Sequence, residues 1–87
     1  MSDKKTDLEA LQSLLDQIEK YEHEMGLDAR GAEIVRAEIR KIREHMAAES
    51  PDQRGIAGAL NRIEHALENA AENIIASGAL AWIARFG

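Results

Sequence analysis

Three histidines, His23, His45 and His65, carry the ring nitrogens best suited to acid–base or metal chemistry near neutral pH in this 87-residue chain. Helical dimetal centres place a glutamate three residues before such a histidine, so that both face one site. Here the corresponding positions hold Lys20, Ile42 and Arg62, and no two histidines are four residues apart. The histidines therefore read as surface groups. Asn61, His65, Glu68 and Glu72 recur at intervals of 4, 3 and 4, a polar stripe that the outer face of an amphipathic helix explains better than a metal site or an acid–base pair. Ser2, Ser13, Ser50 and Ser77 lie outside any nucleophile elbow. Gly55 and Gly58 fall at a helix start and not between strand and helix, so they do not make a phosphate loop. There is no cysteine, which excludes disulfides, thiolate zinc sites and cysteine nucleophiles. The residues thus imply a non-catalytic protein with no catalytic residue, metal or cofactor.

Composition points toward helices. Hydrophobic residues make up 45% of the chain and aromatic ones only 3%, and the apolar content is dominated by Ala, Leu and Ile, which suit helix packing. Net charge is −5, the wrong sign for a phosphate backbone, so no nucleic-acid partner is expected. The acids are uneven: residues 1–27 carry seven against three bases, and residues 28–50 carry five of each. The acidic first segment can therefore lie along the bases of the second.

The chain reads as one domain, 1–87, with an all-α fold. The expected architecture is a three-helix antiparallel bundle at about 6–25, 28–49 and 51–75, followed by an apolar helical extension or short fourth helix at 76–86. Residues 1–5 are polar and read as a frayed start. Thr6 to Glu9 matches a capping box. Leu8, Leu11, Leu15, Ile18 and Met25 then form an apolar stripe, interrupted at Glu22 and widened by Leu14 and Tyr21. Gly26 suits the left-handed residue that ends such a helix. Asp28 caps the second helix, whose stripe is Ala32, Val35, Ile39, Ile42 and Met46, with Ile34 off it and charged residues, Glu38 among them, on the remaining faces. Ser50, Pro51 and Gln53 read as N-cap, first helical residue and capping-box partner of the third helix. Its stripe runs Ile56, Leu60, Ile63, Leu67, Ala70 and Ile74, with Asn69 and Asn73 beside the seam, where a polar residue can fix register.

The end of the chain has no obvious place in that bundle. Asn73 to Ala84 is a run of twelve uncharged residues, short of the roughly 20 a membrane-spanning helix needs. With no apolar leader at the N-terminus, a cytoplasmic location is expected. A single helix from Pro51 to Phe86 would extend about 54 Å, well beyond the two helices before it, so the tail must either break at Ser77-Gly78 or run on to another chain. Ile75, Gly78, Leu80, Trp82, Ile83 and Phe86 are its candidate interaction residues, because Trp and Phe anchor interfaces well. The partner expected is a second copy or one other protein. A membrane surface is the less favoured option.

The segments Pro51-Asp52-Gln53 through Ile63 and Leu67 through Gly78, with their Ala-Ala, Asn and Ala-Ser-Gly elements, resemble the C-terminal helices of small bacterial or phage helical proteins. That resemblance implies such an origin and no activity. In size and helical content the chain is also similar to secretion-needle subunits, but the acidic first helix and the break at Gly26 depart from their pattern.

Overall fold

A computed structural model describes residues 4–86, and side chains for residues 8–85. Among these, four α-helices and one 3-10 turn make up the ordered elements, with no strand: α1 Lys4–Tyr21, a 3-10 turn Glu22–Glu24, α2 Ala29–Ala47, α3 Gln53–Glu68 and α4 Ile74–Phe86. The longest dimension is 35 Å, so residues 51–86 are not one continuous rod.

The first helix begins before the expected cap. Lys4 and Lys5 are helical, and Thr6 lies inside α1 rather than at its N-terminus; the Thr6 side chain is outside the described residues. Leu11, Leu14, Leu15 and Ile18 are buried, as their spacing requires. The helix tightens into the 3-10 turn, Met25 donates its N–H to the Glu22 carbonyl, and the chain reverses at Gly26, whose φ is 72°. A Cβ there would strain the backbone, so this glycine is conformationally required.

Asp28 caps α2 as expected, its Oδ1 accepting from the Gly31 amide at 2.7 Å. Val35, Ile39 and Ile42 are buried. Arg43 reaches back to Asp16 at 2.7 Å and Glu19 at 2.8 Å, and Arg36 donates to Glu22, so the basic side of α2 does lie along acidic α1. Glu38 departs from the expected solvated face. It is 5% exposed and receives Lys41 and Arg62, each at 3.2 Å.

The α2–α3 connection corrects the expected cap. Ser50 and Pro51 lie outside the helix, and Asp52 is the N-cap, its Oδ1 accepting from the Arg54 and Gly55 amides at 3.1 Å each. Aspartate and serine cap about equally well. Pro51 also biases Ser50 toward extended backbone, which moves the start two residues on. Ile56, Ala59, Ile63, Ala66 and Leu67 face the core from α3, which packs most extensively on α2.

The expected third helix to residue 75 is also overturned: α3 ends at Glu68. Ala70, Ala71 and Asn73 each donate to the carbonyl three residues back, a run of tight turns before α4 begins at Ile74. The break therefore falls at residues 69–73, not at Ser77-Gly78, and Gly78 sits within α4. Folding back lets Ala76 and Ile83 join the same core as Leu15, Ile39 and Ile63, which a straight continuation would leave in water.

Candidate functional site

Asn73 determines where α4 starts and where it points. Its Oδ1 accepts from the Ile75 amide at 2.8 Å and the Ala76 amide at 3.2 Å, satisfying two donors of the first helical turn. Its Nδ2 donates to the Glu24 carbonyl at 2.9 Å. One amide side chain therefore both caps α4 and fastens it to the end of the 3-10 turn. A Cβ on Gly26 would lie 3.4 Å from Asn73 Nδ2, so the turn and the cap fit closely. The seam asparagine expected from sequence is a cap.

Seated this way, α4 presents two different sides. Ala76 and Ile83 are buried, and Ile75, Ala79 and Leu80 are half-buried against the core. Of the six expected interaction residues, Ile83 is thus a core residue at 4% exposure and is not available to a partner, while Ile75 and Leu80 are partly so. Gly78 is exposed, with open space around it. Trp82 is 46% exposed. Phe86 ends α4, and its side chain lies outside the described residues.

The residue sequence reasoning misplaced is Ile74. Counted there as the last member of the third-helix stripe, it is 87% exposed at the first position of α4. The signal in the sequence is Asn73, a good N-cap residue for a new helix. Ile74, Gly78, Ala81 and Arg85 fall at intervals of 4, 3 and 4, and all are exposed. They form the outer side of α4, opposite Ala76 and Ile83, with Ser77 and Trp82 at its flanks. Only three large apolar side chains are exposed among the described residues, Ile34, Ile74 and Trp82, and two of them are on this helix.

Two depressions adjoin α4. One, of about 220 Å³, lies between α1 and α4 and is lined by Ile18, Tyr21, Met25, Ile75, Gly78 and Trp82. The other is a broad open groove of about 1270 Å³ among α1, α3 and the C-terminal half of α4, with Leu8, Leu11, Ile56 and Leu60 along it and Glu64 and Arg85 among its polar lining residues.

The groups singled out for chemistry remain apart. His23 and His65 are exposed and His45 is half-buried. His65 Nδ1 lies 3.3 Å from Glu68 Oε1 on the outer face of α3. No three His, Asp or Glu side chains gather as a metal-binding group among the described residues. The imidazole of His45 occupies the space beside Gly55: a Cβ there would meet its Nε2 at 2.6 Å. No described helix is long and apolar enough to cross a membrane. No protein-family model, curated protein or solved structure matches the chain.

Proposed function

We propose that this is a small non-catalytic assembly or adaptor protein that associates with itself through the outer side of α4, with α1, α2 and α3 as an antiparallel three-helix bundle that displays it. The observation that carries this reading is the exposure of Ile74 at 87% and Trp82 at 46% on a helix with no charge between Asn73 and Ala84. Exposed apolar surface of this kind, on a helix held rigidly by its opposite side, is what association buries. The apolar stripe of α3, which the sequence nominated as part of the same surface, supports the reading less, because Ile56, Ile63 and Leu67 are used within the chain's own core. Sedimentation of the purified chain across a concentration series tests the proposal. A concentration-dependent dimer or larger species is the expected result, and a monomer at every concentration reached would end it.

A second reading is a regulator that binds one protein partner. It is favoured by the broad groove among α1, α3 and α4, whose apolar floor of Leu11, Leu60 and Ile56 suits an amphipathic segment. Retention of one stoichiometric partner by a chain that stays monomeric would support this reading over self-association. A peripheral membrane protein is the third, resting on Trp82 and Arg85 at the end of an uncharged helix. Flotation with anionic vesicles tests it, and a chain that stays at the bottom of the gradient removes it.

A further inference from the structure

On the outer side of α4, two exposed apolar residues flank a glycine. Ile74 lies four residues before Gly78 and Trp82 four residues after it. Ile74 projects almost fully into solvent, whereas Trp82 borders the 220 Å³ depression between α1 and α4. Between them, Gly78 has nothing within 4 Å of where a side chain would begin. Resting on the self-association proposed above, we infer that the partner is a second copy of this chain, docked by antiparallel pairing of α4 with α4 across a two-fold axis at Gly78, with Ile74 of each copy seated in the depression beside Trp82 of the other.

Three observations favour a second copy over another occupant. First, the surface carries both halves of a lock, the projecting aliphatic side chain of Ile74 and an apolar depression running from Gly78 to Trp82, beside a residue small enough for backbones to approach. An isologous interface requires this self-complementarity. Second, the flanking charges are complementary under the same operation. Glu72 precedes the uncharged stretch and Arg85 follows it, both exposed, and antiparallel pairing carries each Arg85 toward the partner's Glu72. A parallel pairing would bring like charges together. Third, each copy carries −5, so copies repel overall, and the wall that α1 lends to the depression is uncharged, made by Gln17, Ile18 and Tyr21. The ridge Ile74–Gly78–Trp82 follows the four-residue spacing that helices most often interdigitate.

The test uses the whole chain and its lack of native cysteine. Sedimentation of wild type should show a monomer–dimer equilibrium. Ile74→Asp should weaken the dimer about tenfold or more, with unchanged circular dichroism because the side chain is already in water. Ile34→Asp, on exposed α2 surface, should leave the dimer intact. A mixture of Ile74→Cys and Trp82→Cys chains, mildly oxidised, should give a mixed disulfide dimer in preference to either self-linked species. A monomeric wild type overturns the self-association reading itself, and if that monomer floats with phosphatidylglycerol vesicles the surface belongs to lipid. A wild-type dimer that survives Ile74→Asp, or that links Ile74→Cys chains to themselves, leaves self-association standing and overturns the antiparallel α4 pairing.

Discussion

Asn73, Gly78, Glu38 and Ile63 each do something at the level of single atoms that can be measured. Asn73 satisfies two amide donors of α4 and one carbonyl at the end of the 3-10 turn. Asn73→Ala should lower stability by about 1–2 kcal/mol, read as a lower midpoint in urea. Gly78 is an unoccupied helical position, so Gly78→Ala should raise monomer stability by about 0.5–1 kcal/mol. It should also weaken association by pushing the paired helices apart. Stability measured at low concentration and sedimentation at high concentration should therefore move in opposite directions. Glu38 is buried, but its partners Lys41 and Arg62 have side chains 55% and 62% exposed. Removing the carboxylate leaves both cations in water, so Glu38→Met should change stability by less than about 1 kcal/mol. Glu38→Lys, which places a buried positive charge beside those two exposed cations, should cost about 3 kcal/mol. Ile63 is fully buried, and Ile63→Asp places a carboxylate in the core. In a domain holding about 5–10 kcal/mol, helical ellipticity should largely disappear.

At the level of elements, α1 and α2 were legible in the sequence because each carries an apolar stripe, continuous in α1 as far as Ile18, and a local stop or start signal. Gly26 and Asp28 define the turn between them with backbone requirements that no distant contact need supply. The third helix was harder. Ile56 to Leu67 obeys its stripe, but the same period continues through Ala70 to Ile74, and alanines at 70 and 71 are strong helix formers. What stops α3 at Glu68 is the tertiary gain of returning Ala76 and Ile83 to the core, which local propensity does not contain. The error at Ser50 was of another kind: two good caps two residues apart compete, and Asp52 holds two amides. For the site, Trp82 and Gly78 were legible as surface, because an uncharged helix that packs on the core by one side leaves its other side in water. Ile83 was not, since which side of an almost uncharged helix faces inward depends on the direction in which it is folded back. Deleting residues 76–87 removes Ala76 and Ile83 from the core, so it should lower the unfolding midpoint as well as any association through α4.

For the molecule as a whole, charge is concentrated away from the uncharged stretch of α4. Acidic α1 is partly neutralised by Arg36 and Arg43 of α2, while the net charge of −5 keeps copies apart elsewhere. The proposed α4-centred dimer would be held chiefly by apolar contact, so raising salt from low to physiological strength should strengthen it slightly by screening copy–copy repulsion, partly offset by loss of the proposed Arg85 attraction to Glu72. A dimer dissolved by moderate salt would point to a charge-driven contact instead, and sedimentation at two ionic strengths distinguishes them.

The latch at Asn73 also has a consequence in time. The amide and the Glu24 carbonyl it holds are 49 residues apart in sequence, so the bond that fastens the start of α4 closes a long loop and waits on the packing of α2 and α3, which that loop contains. The last helix should therefore organise after the rate-limiting step. In stopped-flow refolding, Asn73→Ala should leave the folding rate almost untouched and raise the unfolding rate by nearly the whole loss in stability, so the outer side of α4 would be the last part of the chain to appear and the first to be lost.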